Sequence, residues 1–236
     1  MTNKPKSAEM IPGPGFMVRK SIDRLPAAMI ARFESFATAD ISDSLNRMYT
    51  LASSIENVTT DERLMGSACT VKVFPGDNLM VHKALDVAKP GDVIVVDTSG
   101  NRSNAVIGDL VLTKAKHRGI AGFVVDGLVR DVEAMREVGI PVYARGITPF
   151  GPLHRGPGEL NYSVSCGGVV VNPGDLIVAD GDGVVVVRKE YAEVVAQRLE
   201  DTKERMAAYL AAVQRGDFSN DWVDQLLELS ECPVND

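Results

Sequence analysis

The chain predicts an α/β fold with an additional C-terminal helical segment, and three observations carry that expectation. Apolar runs such as "DVIVVD" (92–97) and "GFVVDG" (122–127) are nearly continuous, which is how a strand buried on both faces of a parallel sheet reads. Stretches of helical period alternate with these runs. After Gly151 the pattern changes to short apolar runs broken by tight turns, "GGVVVNPGDLIVADGDGVVVV", and then to a helical run over 189–215.

In order, the first fifteen or so residues are polar and rich in Pro and Gly, and 1–20 is expected to be a flexible arm. Residues 22–48 have helical period, with Leu25, Met29 and Phe33 on one face. A strand over 64–74 ends at Pro75-Gly76-Asp77. A helix over 77–88 is capped by Asp77 at its start. "PGDVIVVD" is a turn and a buried strand, "TSGNRSN" a loop, and 106–117 a helix. A buried strand over 119–127, a helix over 131–138 and a strand in "IPVYARG" complete the alternation. "HRGPGELNYSV" is loop-like, and the tail beyond Phe218 is acidic and contains Trp222. "KPGDVIVVDTSG" (89–100) and "NPGDLIVADGDG" (172–183) share PGDxIVxDxxG, which is a turn followed by a buried strand.

Whole-chain numbers exclude several classes. The chain has 236 residues, 45% hydrophobic and 24% charged, with net charge -7. That is ordinary for a globular protein, and it argues against the basic footprint of a nucleic-acid binder. Cys69, Cys166 and Cys232 make neither a disulfide framework nor a CxxC site, which fits a reducing, cytoplasmic setting. No run approaches the ~20 apolar residues of a spanning helix, so neither a membrane nor a nucleic acid is an expected partner. His82, His117 and His154 lack zinc spacing, and GxSxG, GxGxxG and GxxxxGK[ST] are all absent.

The chemistry then rests on "VVDGLVRDVEAM" (124–135), where a buried strand hands over to a helix across Arg130 and Asp131. Ligands of open α/β sheets bind beyond the carboxyl ends of strands. "GDLV" (108–111) begins the preceding helix, whose free N–H groups can hold an anion. Asp109 precedes Asp131 by about one helix plus one strand, so the two carboxylates can converge. These parts suit enolate chemistry on a 2-oxo acid, with an oxygen-ligated Mg²⁺ or Mn²⁺ at Asp131 and Arg130 against the developing charge. The plain alternative is a surface salt bridge with a helix-capping carboxylate.

From about Asp40 to Glu190 the chain resembles the class II pyruvate aldolases typified by 4-hydroxy-4-methyl-2-oxoglutarate / 4-carboxy-4-hydroxy-2-oxoadipate aldolase, a family that also includes the regulator of ribonuclease activity A. The spacing of Gly108-Asp109-Leu110 from Arg130-Asp131 is its specific part, and the glycine-rich strands mark the fold. The resemblance implies an RraA-like β/β/α swivelling-type domain over 21–188, with 189–236 as a helix and tail contacting a neighbouring subunit. It implies a homotrimer or homohexamer with active sites at subunit interfaces. Asp131 is then the direct ligand of a divalent metal, Mg²⁺ or Mn²⁺, and Asp109 the holder of metal-bound water. Arg130 is the enolate stabiliser, and Gly108, Asp109, Leu110 and Val111 with Arg130 bind the substrate carboxylate. A catalytic glutamate from the neighbouring subunit's C-terminal helix falls on Glu200, with Glu204 as the alternative. The implied activity is cleavage of a 4-hydroxy-2-oxo di- or tricarboxylic acid to pyruvate and a second oxo acid, accompanied by oxaloacetate decarboxylation. The regulatory branch, which binds and inhibits a ribonuclease, is the alternative; its pattern keeps the arginine but has an amide where this chain has Asp131.

Overall fold

A computed structural model of the chain describes residues 9–60 and 62–233. It divides into two units, Met1–Ala196 and Gln197–Asp236. Within the first unit the strands are β1 (Phe16–Val18), β2 (Glu56–Asn57), β3 (Leu64–Val73), β4 (Val93–Asp97), β5 (Ala105–Ile107), β6 (Gly122–Val129), β7 (Val142–Ile147), β8 (Gly158–Leu160), β9 (Val164–Cys166), β10 (Val169–Val171), β11 (Leu176–Asp180) and β12 (Gly183–Val187). The helices are α1 (Ala27–Ala31), α2 (Thr38–Ser44), α3 (Leu79–Val87), α4 (Asp109–His117), α5 (Val132–Val138), α6 (Ala192–Gln214) and α7 (Asp221–Leu229). The unit boundary falls inside α6, and α7 belongs to the second unit.

The central sheet runs β1-β8-β3-β4-β6-β7-β2, with β11 and β12 attached through β3 and β5 through β6. Its middle, β3-β4-β6-β7, is parallel. Every residue of β4 is buried, as its unbroken apolar run predicts. Alternate side chains supply two cores. Cys69, Val71, Ile94, Val96, Phe123 and Val125 face α3, α4 and α5. Ala68, Val93, Val95, Val124 and Tyr143 face the small β9–β12 layer. Two apolar layers, one on each face, are why these strands cannot alternate apolar with polar.

The repeated PGD turns have one physical explanation. Gly91 and Gly174 sit at φ +84° and +89°, the left-handed region open to glycine. Asp92 Oδ2 accepts the Lys89 amide, and Asp175 Oδ2 accepts the Asn172 amide, each at 2.8 Å. Both turns are therefore closed by the aspartate that follows the glycine, and each launches a strand adjoining β3.

Several expectations need correction. The helical stretch over 22–48 is two short helices, because the Phe33 and Phe36 carbonyls accept from Arg63 instead of continuing a helix. α2 then starts afresh where Asp180 accepts the Thr38 amide and hydroxyl. The helix expected from 106 begins at Asp109, because Ala105 and Ile107 pair with β6. "HRGPGELNYSV" contains β8, which pairs with both β1 and β3. The acidic tail contains α7. Of the expected arm, 1–8 lie outside the described residues, and Phe16–Val18 form a strand against β8.

Candidate functional site

β6 delivers Arg130 and Asp131 to the carboxyl end of the sheet beside β5 and the start of α4. The Arg130 amide donates to the Ile107 carbonyl at 3.1 Å, locking the two strand ends together. Leu112 N–H bonds Gly108 O at 3.1 Å and opens α4. Gly108 is an extended residue, at φ -152°, so no backbone strain requires a glycine there. Space does: a Cβ on Gly108 would meet Asp131 Oδ2 at 2.5 Å and Arg130 Cγ at 3.2 Å. A Cβ on Gly151 would meet Arg130 Nη1 at 2.5 Å. The guanidinium thus lies between two glycines. Gly151 is itself tied down, its carbonyl accepting from Asn104 Nδ2 at 2.9 Å.

Arg130 Nε and Asp131 Oδ2 are 3.2 Å apart, both side chains about two-fifths exposed at 41% and 42%. Half of the plain alternative is therefore present, since this is a solvent-facing ion pair of small energetic worth. The other half is not: the Asp131 side chain makes no capping hydrogen bond to α5. Asp131 also adopts the left-handed conformation, φ 60° and ψ 37°. That is a costly state for a side-chain-bearing residue, and such states cluster at functional sites. Asp109 Oδ1 accepts its neighbour's amide, Leu110 N, at 2.7 Å. Asp109 and Asp131 line one open depression with Val132, Glu133 and Ala134. Among the described residues no three His, Cys, Asp or Glu side chains form a ready-made metal cage.

Asp109 also borders a cavity of about 220 Å³ that Gly108, Leu110, Val111 and Arg130 line. Asn78, His82, Lys114, Pro152 and His154 also line it. Sequence reasoning passes over these residues because His82 and His154 lie far apart in the chain and meet only in the fold. Their rings pack edge to face, centroids 5.5 Å apart. The loop bearing His154 is pinned to the start of α3: Leu153 N–H donates to Gly76 O at 2.8 Å, Asn78 N–H to Leu153 O at 3.0 Å, and Arg155 N–H to Asp77 Oδ2 at 2.5 Å. Asp77 Oδ1 accepts the Leu79 amide at 2.8 Å, but the helix starts later than the sequence predicts and its N-cap is Asn78, not Asp77. Burial, then the nearby Lys114 ammonium and His154, push the His82 ring below the ordinary histidine range, against the pull of Asp77.

Glu200 and Glu204 are exposed side chains of the second unit, and their part in any site rests on the resemblance. The two buried thiols, Cys69 and Cys166, are poor nucleophile candidates. Burial, reinforced by Asp92 and opposed by Arg24, pushes Cys69 up to about 12, and burial raises buried Cys166 as well.

The fold and site define an α/β protein with an anion-suited cavity and a carboxylate pair at the carboxyl end of its parallel strands. The RraA-like family model, described as Aldolase/RraA, matches residues 38–186, and the chain belongs to that family. A protein of Halalkalibacterium halodurans, provisionally named 4-hydroxy-4-methyl-2-oxoglutarate aldolase, is 46% identical over 169 residues, 72% of this chain and 80% of the relative. Among solved structures, the Streptomyces coelicolor protein RraAS2, described as an unusual member of the RNase ES inhibitor RraA family, matches with a TM-score of 0.73. It is 27% identical and covers 80% of this chain and 98% of its own. The RNA-processing inhibitor RraA of Thermus thermophilis matches with a TM-score of 0.60 at 33% identity, over 65% of this chain and 93% of its own. No helix among the described residues is long and apolar enough to cross a membrane.

Proposed function

We propose that this chain is a divalent-metal-dependent aldolase that cleaves a 4-hydroxy-2-oxo di- or tricarboxylic acid to pyruvate and a second oxo acid, and that it also decarboxylates oxaloacetate. The observation that carries the reading is Asp131. Its carboxylate caps no helix, its backbone is held in a strained state, and it packs with Arg130 over a glycine that leaves room for both.

The donor set fits a hard divalent ion. Asp109 and Asp131 line one depression without thiol or imidazole, and Mg²⁺ or Mn²⁺ is commonly satisfied by one or two carboxylates with waters completing the shell. Asp131 would hold the ion directly, and Asp109 would hold a water beside it. When bound, the ion would polarise the ketone and carboxylate oxygens of a 2-oxo acid.

The remaining work falls to the chain's own groups. The first amides of α4, at Leu110 and Val111, suit the substrate carboxylate, because a helix start carries unsatisfied donors and a positive dipole end. Arg130, fixed between Gly108 and Gly151, would neutralise the negative charge that develops on the 2-oxo oxygen as the carbon–carbon bond breaks. Both the aldol cleavage and oxaloacetate decarboxylation generate the same pyruvate enolate, so one arrangement serves both. Glu200, supplied by a neighbouring copy in a homotrimer or homohexamer, completes the proposed site.

The test is pyruvate release from oxaloacetate by the purified protein with Mg²⁺ or Mn²⁺, against a metal-only blank and excess EDTA. Release above the blank that EDTA abolishes is expected. Release no faster than the blank would sink the reading and leave ribonuclease inhibition, suggested by the RraA names of the similar structures, as the next to assay.

A further inference from the structure

The cavity that Arg130 borders is also lined by side chains that the proposed reaction does not use. Asn78 is 3% exposed. Its Nδ2 donates to the Val106 carbonyl at 2.9 Å, and a carbonyl can only accept, so the amide orientation is fixed. Asn78 Oδ1 is then the atom 2.6 Å from His154 Nδ1, which makes Nδ1 the donor and leaves Nε2 as the ring's remaining polar atom. His82 follows Asn78 by one turn of α3 and packs against the His154 ring. Lys114 faces the same cavity from α4 and makes no ion pair among the described residues.

The charges are lopsided. Arg130 and Lys114 border the cavity against the single carboxylate of Asp109. Arg130 is already paired with Asp131 at 3.2 Å, so a substrate carboxylate held at the start of α4 leaves Lys114 as the cation without a partner charge in the cavity lining. Lys114 lies five residues beyond Asp109, a rise of about 7.5 Å along the helix, a span that the carbon chain of a short diacid bridges.

We propose that Lys114, His82 and His154 form a receptor for a second carboxylate, which makes the site selective for 2-oxo diacids over 2-oxo monoacids. The inference rests on the reading that a 2-oxo acid occupies this cavity. Lys114 supplies a fixed cation. Asn78 holds the His154 ring through Nδ1, and with His82 packed against it the pair closes the cavity around the carboxylate. His82 supplies an N–H and excludes water. These are specificity residues; the bond-breaking chemistry stays at the Arg130 end.

Calorimetric titration with 2-oxoglutarate and 2-oxobutyrate, in Mg²⁺, reads the selectivity without turnover. Wild-type protein is expected to bind the diacid tighter by about tenfold or more. Lys114→Met and His154→Ala should each cut that ratio severalfold, and the double variant should bring it near one, with melting curves checking that the variants are folded. No diacid preference in the wild type, or variants that weaken both acids equally, overturns the receptor. The two readings fail separately. A preference lost in the variants, without metal-dependent pyruvate release, would keep the receptor and discard the aldolase; pyruvate release with an unchanged ratio would do the reverse.

Discussion

Gly108 has no side chain to spare, because the volume where a Cβ would go is occupied by Asp131 Oδ2. Its extended backbone suits alanine, so Gly108→Ala should fold with a melting temperature close to wild type. The added methyl would displace the carboxylate, and misplacement of that size at a reacting centre costs on the order of 10²-fold in turnover. Metal-dependent pyruvate release beside a thermal melt checks both halves; full activity would remove Asp131 from the site. Asp131→Gly separates strain from chemistry in the opposite sense. Glycine adopts φ 60° freely, so the variant should match or exceed wild-type stability, by up to about 1 kcal/mol, while losing the metal-dependent activity. A large drop in melting temperature would mean that the carboxylate serves the fold. At this scale the sequence is informative where neighbours in the chain are neighbours in the site. Gly108 with Asp109, and Arg130 with Asp131, are legible because each pair straddles a strand-to-helix junction. His82 against His154 is not legible, because no spacing rule joins residues that meet only through the packing of a loop on a helix.

Elements are legible where burial imposes a continuous pattern and illegible where three-residue strands borrow their neighbours' character. β4 and β6 stand out as apolar runs because both their faces are covered. β5 is absorbed into the apolar period of α4, although Gly108 between them is the mark of a break. α7 is hidden by its short length and acidic surroundings. One ion pair clamps β6, β7 and the β9–β10 hairpin: Asp126 bonds the Arg145 guanidinium and accepts the Gly167 amide at 2.7 Å. Burial opposes the Asp126 charge, but Arg145 and the Gly167 amide outweigh it, and the carboxyl is held below its ordinary 3.8. A carboxyl lowered by folding stabilises the fold above its unfolded value, and that stability is lost as pH falls through the folded one. Asp126→Asn should cost on the order of 1–2 kcal/mol at neutral pH, as expected for losing a charge-assisted hydrogen bond in a part-buried pair. Stability in the variant should also fall less steeply than in wild type below pH 3.8. Urea titrations from neutral pH into acid measure both effects; parallel curves would show that Asp126 does not set the acid limit.

For the whole molecule, the proposed reaction needs a group that the first unit does not contain. Asp109, Asp131 and Arg130 come from the carboxyl ends of β5 and β6, whereas Glu200 belongs to the second unit. If that glutamate acts in a neighbouring copy, each site takes Asp131 from one subunit and Glu200 from the next. Asp131→Ala and Glu200→Ala proteins should then be inactive alone and active when unfolded and refolded together. In randomly mixed closed rings, about one site in four joins an intact Asp131 to an intact Glu200, so up to about a quarter of wild-type pyruvate release should return. Sedimentation of the mixture would establish that trimers or hexamers had re-formed. Re-formed rings without activity would mean that Glu200 does not act across the interface, and the same mixture with Glu204→Ala would test the other carboxylate on α6. Only if Glu200→Ala and Glu204→Ala were both active would Asp131 and Asp109, from a single chain, be left as the carboxylates that the proposed reaction uses.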